Sequence, residues 1–322
     1  YQADQLALIL AHDNDGFCRW DAAQRLGEAA VFRVLEGADV EIEAAALASP
    51  WREVLARAGE DPAGAALLLA LPSERALAER MRPLDPARLC QARQQLDAAL
   101  GRQLQSELTA MLPTLRVAGP YRAVAQDIGR RSLAQRCLAL LAAAQAPGID
   151  VELRARFESA ANMTERLGAL RLLVWHGLTG RDEALAVFAD RYRDEALVMD
   201  QWFAVQAQTP GIGTVVQVSA LLAHPQFEWT SPNRVRALLG SLANGNLSAF
   251  HAADGSGYRL YAEALAKLDR LNPQVAARMA AAVAVLPHLI APLQQHLRAA
   301  LAGLLEAGPS ANLAEVLERV LR

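Results

Sequence analysis

The 322-residue sequence is poor in cysteine and in net charge, and each shortage excludes a class of protein. Its three cysteines, Cys18, Cys90 and Cys137, are too few and too far apart for a disulfide framework or a cysteine metal site. A formal charge of −3 gives no reason to expect nucleic acid. No apolar run approaches the roughly 20 residues that cross a membrane. The composition therefore predicts a cytoplasmic protein whose partners include neither nucleic acid nor a membrane.

Motifs for catalysis are absent as well. None of the six histidines belongs to a His-Glu-x-x-His pair, and no two of them lie four residues apart on one helix. There is no Gly-x-Ser-x-Gly and no phosphate-binding glycine-rich loop. We therefore predict no catalytic residue, no metal ligand and no cofactor in this chain. The first residues, Tyr1-Gln-Ala-Asp-Gln, lack an initiator methionine and a signal-like segment, which indicates a piece of a larger protein.

Asp13-Asn-Asp-Gly16 resembles the start of a calcium-binding loop. An EF-hand needs an oxygen ligand where Phe17 stands and a glycine where Cys18 stands, so the pattern fails. We interpret the segment as the start of a helix that an Asp or Asn caps. On that interpretation Phe17 and Trp20 anchor the helix by packing.

Alanine and leucine are abundant, and apolar residues recur at three- and four-residue spacing, which predicts helix throughout. Capping side chains add to the signal: an Asp, Ser or Asn precedes Pro62, Pro86, Pro232 and Pro273, and Asn162 with Glu165 resembles a capping box. The predicted helices span 2–11, 19–35, 42–57, 63–70, 73–81, 86–110, 122–145, 149–159, 163–175, 182–192, 195–207, 213–222, 233–243, 257–269, 273–284, 288–305 and 310–321.

Helices of this length joined by short loops form antiparallel pairs. No repeat of fixed period is visible, so the predicted fold is all-α, an irregular armadillo/HEAT-like superhelical stack. We treat residues 1–322 as a single α-helical domain with an internal seam near 146–148.

The segment Phe250-His-Ala-Ala-Asp-Gly-Ser-Gly-Tyr258 has two interpretations. In one, Asp254 orients His251 as an acid–base dyad of an independent hydrolase. In the other, the segment is a tight loop. Gly255 and Gly257 then adopt positive φ, Asp254 or Ser256 caps the next helix, and His251 bridges neighbouring backbone.

Arginines in the same half of the chain also have two interpretations. Arg234 and Arg236 are two residues apart and point in different directions on a helix, so at least one leaves the solvent face. Arg278 lies in the second turn of the helix that begins at Pro273. Arginines from neighbouring helix pairs could converge on a carboxylate, which a guanidinium binds through two hydrogen bonds. The alternative is a salt bridge between helices.

Short motifs in one order along almost the whole chain resemble a known family. The resemblance is to the C-terminal helical domain of bacterial aminopeptidase N, an alanyl aminopeptidase of the gluzincin family. The motifs are His12-Asp-Asn-Asp15, Arg19-Trp-Asp-Ala-Ala23, Leu69-Ala-Leu-Pro-Ser-Glu74, Asn162-Met-Thr-Glu-Arg-Leu167, Leu197-Val-Met-Asp200, Trp202-Phe203, Pro232-Asn-Arg-Val-Arg236, Phe250-His251, Asp254-Gly-Ser-Gly-Tyr258 and Asn272-Pro-Gln-Val-Ala-Ala277.

The resemblance implies a function. In that family an earlier domain holds the zinc, and the helical domain closes over it and encloses a chamber for the peptide. Arg236 and Arg278 match positions that meet the far end of the peptide and its carboxylate, and Gln274 matches a position lining the substrate region. Arg19, Trp20 and Trp202 are candidates for the contact with the catalytic domain. The alternative is a free-standing helical scaffold that binds a protein partner.

Overall fold

The computed structural model describes residues 1–117 and 119–322, and most of them are helical. Across these two ranges the backbone forms no β-strand, and an isolated bridge pairs Leu84 with Leu289. The predicted all-α fold class is thus confirmed.

Contacts between residues divide the chain into two compact units. The first comprises residues 1–77 and 91–184, and the second comprises residues 78–90 and 185–322. Residues 146–148, the predicted seam, fall within the first unit's part of the sequence. The assignment of residues 1–322 to a single domain stays a prediction.

In the first half of the chain the helices follow one another with short connections, and within the first unit α1 packs on α2 and α9 on α10. Their bounds are α1 Ala3–His12, α2 Gly16–Leu35, α3 Val40–Ala56, α4 Pro62–Leu68, α5 Glu74–Arg80, α6 Pro86–Gln103, α7 Gln105–Met111, a 3₁₀ turn Leu112–Leu115, α8 Ala125–Ala143, α9 Ile149–Ser159, α10 Met163–Trp175 and α11 Arg181–Arg191.

A largely buried carboxylate, that of Asp97, ties the first unit together. Asp97 forms ion pairs with Arg93 at 2.8 Å and with Arg136 at 3.0 Å. The same two arginines donate to the carbonyl oxygens of Pro72 and Leu69. Burial alone would raise the pKa of Asp97, but attraction by the two guanidinium groups outweighs burial and lowers it. The cluster therefore joins α6 and α8 to the segment that follows α4.

The second half of the chain is built in the same way, and α17 packs on α18 and α19 on α20. Its elements are α12 Ala196–Ala207, α13 Gly213–Leu221, α14 Pro232–Val235, a π-helical turn Arg236–Gly240, α15 Ser241–Gly245, α16 Leu247–Phe250, α17 Ser256–Leu271, α18 Pro273–Ala280, a 3₁₀ segment Ala281–His288, α19 Ala291–Glu306 and α20 Ala311–Leu321.

The predicted caps form. Asp61, Asp85, Ser231 and Asn272 each accept a hydrogen bond from the backbone N–H three residues ahead. Asn162 accepts from the N–H of Glu165 at 3.0 Å, and its side-chain amide donates to the Glu165 carboxylate. Each cap satisfies a donor that the first turn of a helix would otherwise leave without a partner.

Four predicted helices differ from the structure. The single helix 86–110 breaks at Leu104, where φ is −111°, with Leu104 and Leu108 both buried. The helix 288–305 begins only at Ala291, because residues 288–290 pair with Leu84 instead.

The helix 273–284 is α-helical to Ala280 and continues as a 3₁₀ segment through Pro287, which has no N–H to donate. The helix 233–243 contains the π-helical turn. The short helix α16, which the sequence did not predict, starts where the Asn246 side chain accepts from the N–H of Ala249.

Candidate functional site

Gln274 and Arg278 lie on α18 of the second unit. Asn272 caps this helix by accepting from the N–H of Val275 at 3.1 Å, and Pro273 occupies its first position. Gln274 and Arg278 are four residues apart and both are exposed, so they share one face of the helix. Ala276, Met279 and Ala280 are buried and hold the opposite face. The helix therefore presents an amide and a guanidinium side by side.

Arg236 is the first residue of the π-helical turn, and its side chain is exposed. Its guanidinium donates to Oδ1 of Asn233 at 2.7 Å. In the described part of the chain neither Arg236 nor Arg278 forms an ion pair. The salt-bridge interpretation applies instead to Arg234, which pairs with Asp200 and is buried. The sequence alone did not single out that pair.

The three interface candidates lie in different environments. The Trp202 ring is buried in the second unit, where its indole N–H donates to the carbonyl of Leu185 at 3.0 Å. Arg19 is half-buried in the first unit and donates to the carbonyl of Leu10 at 2.9 Å. Trp20 is exposed. Their role in a contact with another domain stays a prediction.

The start of α2 is capped as predicted, because Asp15 accepts from the N–H of Cys18 at 2.8 Å. The interpretation of Phe17 and Trp20 as packing anchors is wrong. Phe17 is 69% exposed and Trp20 39% exposed, and the two rings contact each other with 5.9 Å between their centroids. Both side chains lie near the start of α2 and are exposed, so they form an exposed aromatic pair.

The His251–Asp254 dyad, one of the two interpretations of this segment, does not form. His251 is buried and its Nδ1 lies 2.7 Å from the Tyr258 hydroxyl, whereas the exposed Asp254 accepts from the N–H and hydroxyl of Ser256. Burial lowers the pKa of His251 to about 4 and raises the pKa of Tyr258. A histidine that is buried, neutral and hydrogen-bonded to a tyrosine rather than to a carboxylate does not suit general acid–base catalysis near neutrality.

The loop interpretation of this segment is right in part. Gly255 has a φ of +70°, as predicted. Gly257 lies in helix α17 without a positive φ, and His251 bonds to a side chain rather than to backbone. Phe250 packs edge-on against the rings of Tyr258 and Tyr261, with centroid distances of 5.5 and 5.2 Å. The segment is therefore a structural core of the second unit.

Among residues 1–117 and 119–322, no cluster of three or more His, Cys, Asp or Glu side chains could hold a metal ion. None of the helices in those ranges is long and apolar enough to cross a membrane.

Successive helices that pack in pairs, without strands in the described residues, define a helical-repeat domain. The chain belongs to the family described as a domain of unknown function (DUF3458_C) with ARM repeats, whose model matches residues 3–322. This description agrees with the armadillo-like stack that the sequence predicts.

The chain is similar to aminopeptidase N of several bacteria over most of its length. It is 36% identical over 301 residues to aminopeptidase N of Escherichia coli, covering 92% of this chain and 34% of that protein. It is 36% identical over 283 residues to aminopeptidase N of Haemophilus influenzae, covering 87% of this chain and 32% of that protein. The chain thus spans about a third of the length of these relatives and is homologous to their C-terminal region.

A solved structure is similar over the whole chain. Aminopeptidase A of Legionella pneumophila, crystallised in complex with aspartic acid, matches with a TM-score of 0.91 and 25% identity. The match covers 100% of this chain and 38% of that one.

Proposed function

We propose that this chain is the helical domain of a zinc-dependent aminopeptidase of the aminopeptidase N type, which releases N-terminal residues from peptides. In this proposal the chain forms a single domain of a larger, cytoplasmic polypeptide. It contacts the upstream catalytic domain of that polypeptide, encloses the substrate chamber and contacts the far end of the peptide. The similarity to aminopeptidase N of two organisms supports this assignment.

Zinc has no place in this chain under the proposal. The described residues include no group of donors that fits a metal ion. In the proposal, zinc binding and the chemical step belong to the catalytic domain, and this chain contributes groups that contact the peptide.

The observation that carries the proposal is the state of the two exposed arginines. Arg236 and Arg278 have no acidic partner in the described chain, so both cations can meet a peptide carboxylate without first breaking an ion pair. Gln274, on the same face as Arg278, can donate to a peptide carbonyl. A charge-assisted hydrogen bond of this kind contributes about 1.5–3 kcal/mol.

Arg236→Ala and Arg278→Ala in the full-length enzyme test this role. Each change should lower kcat/KM for a short peptide with a free carboxylate about tenfold or more, since tenfold corresponds to about 1.4 kcal/mol. An amino-acid anilide has no such carboxylate and should be affected much less. Arg319 is an exposed arginine on α20, and Arg319→Ala is the matched control. It should change kcat/KM for neither substrate. Equal losses on peptide and anilide would show that the arginines hold the fold together, and would contradict the proposal.

The reading frame upstream of Tyr1 distinguishes the aminopeptidase from the alternative, a free-standing helical scaffold. A reading frame that continues upstream through His-Glu-x-x-His supports the aminopeptidase. A frame that begins next to Tyr1 supports the scaffold.

A further inference from the structure

Arg234 is a buried arginine with a partner for each part of its guanidinium group. Its Nε donates to the Asp200 carboxylate, Nη1 donates to the carbonyl of Gln226, and Nη2 lies 3.3 Å from the carbonyl of Ala196. The guanidinium carbon also lies 4.8 Å from the centroid of the Phe203 ring. Arg234 and Asp200 are both less than a tenth exposed.

These contacts join three segments of the second unit. Ala196, Asp200 and Phe203 belong to α12, and Gln226 belongs to the loop before α14. Arg234 itself lies in α14, whose start is fixed by Pro232 and by the Ser231 hydroxyl accepting from the N–H of Arg234. A lysine could not replace this arrangement, because an ammonium group lacks the planar fork that serves several acceptors at once. The first turn of α14 is therefore held against α12 and against the loop.

The position of Arg236 follows from this clamp. At 3.6 residues per turn, two residues are separated by about 200° around a helix, so a buried Arg234 places Arg236 on the exposed face. The π-helical turn begins at Arg236 itself, and its hydrogen bond runs from the N–H of Ser241 to the carbonyl of Arg236. Single π-helical turns occur often at functional sites. Asn233, one turn earlier, accepts from the Arg236 guanidinium at 2.7 Å and holds it outward.

We propose that Asp200 and Arg234 are positioning residues that orient Arg236 toward the far end of the peptide substrate. This inference rests on the proposed function, in which Arg236 contacts the peptide carboxylate. Neither residue of the buried pair touches substrate in this scheme. Asp200 and Arg234 instead fix the rotation and position of the helical segment that carries Arg236.

Asp200→Asn in the full-length enzyme is the test. The amide keeps the shape of the side chain but removes the charge that holds Arg234. We expect KM for a short free peptide to rise about fivefold or more, since small misplacement of a binding group is costly. Turnover of an amino-acid anilide should be unchanged. In an Arg236→Ala background, Asp200→Asn should have no further effect on the peptide KM, because the group that it positions is gone.

Asp97→Asn is the matched control. It also removes the charge of a largely buried aspartate that pairs with arginine, but in the first unit. It should lower stability without a selective change in the peptide KM. If Asp97→Asn and Asp200→Asn raise the peptide KM equally, the effect is general loss of stability and the positioning role is overturned.

Arg234→Lys serves if Asp200→Asn does not fold. The lysine keeps the charge next to Asp200 but loses bonds to the two carbonyls, so the peptide KM should rise. A KM equal to that of the parent would overturn the inference.

The two proposals fail in different ways. If Arg236→Ala does not separate peptide from anilide, the proposed function is wrong and the positioning role is wrong with it. If Arg236→Ala separates them and Asp200→Asn does not, the proposed function stands and the positioning role alone is overturned.

Discussion

Gly257 marks a close approach of two helices in the second unit. It lies in the first turn of α17, next to the end of α16. A Cβ built at this position would lie 2.3 Å from the carbonyl oxygen of Phe250 and 2.7 Å from that of Ala249. Both atoms belong to backbone, so neither can rotate out of the way. Gly257→Ala therefore forces α16 and α17 apart by several tenths of an ångström.

The loss of stability in Gly257→Ala can be compared with Gly303→Ala, a matched change that should stabilise the protein. Overpacking of this kind costs roughly 1–3 kcal/mol, so the free energy of unfolding should fall by about that amount. Gly303 lies in α19 of the same unit, and a Cβ there would have no heavy atom within 4 Å. Gly303→Ala should raise the free energy of unfolding by about 0.5–1 kcal/mol, because alanine loses less backbone entropy in a helix.

Urea unfolding followed by circular dichroism measures both changes. The two variants add the same methyl group to the same unit, so a common effect of composition cancels in the comparison. A Gly257→Ala protein as stable as the parent would refute the close approach of α16 and α17. A destabilised Gly303→Ala protein would show that the face of α19 at Gly303 is covered.

Two further predictions concern titratable groups inside the protein. The pKa of His251 is lowered by burial to about 4, and the unfolded chain titrates near 6.5. The unfolded state therefore binds the proton first, and the free energy of unfolding should fall by up to about 3 kcal/mol between pH 6.5 and 4; His251→Gln should flatten this slope, and an unchanged slope would contradict the assignment. Asp97→Asn should lower the free energy of unfolding by about 3 kcal/mol, because it leaves the largely buried guanidinium groups of Arg93 and Arg136 without their anion. Glu60→Gln, in the exposed pair with Arg57, should cost less than about 0.5 kcal/mol, and equal losses in urea unfolding would contradict the difference.

Helix starts could be predicted from the sequence where one side chain determines them locally. Asn162 and Ser231 each accept a hydrogen bond from the N–H three residues ahead, so both partners lie within a single turn. Proline adds a second local signal at Pro232, where its fixed φ suits the first helical position. No tertiary contact is required for either signal.

Other features depend on residues that are distant in the sequence. The start of α19 is displaced because residues 288–290 pair with Leu84, about 200 residues earlier. Gly257 was expected to supply a positive φ, and its true role is to let one backbone approach another. His251 bonds to Tyr258 and not to Asp254, although Asp254 is nearer in the sequence. His251 and Tyr258 are both buried in the aromatic cluster, whereas Asp254 is exposed. The sequence shows the residue types but not these contacts.

The arginines of the candidate site show where sequence reasoning needs the structure. Helical periodicity established that Arg234 and Arg236 cannot share a face, but it gave no reason to choose between them. The choice is made by Asp200 and Phe203, more than 30 residues earlier, which bind the Arg234 guanidinium within the fold. Because Arg234 is already paired, its charge cannot serve a ligand. Arg236 forms no ion pair in the described part of the chain, so its exposed guanidinium remains available to an anionic group.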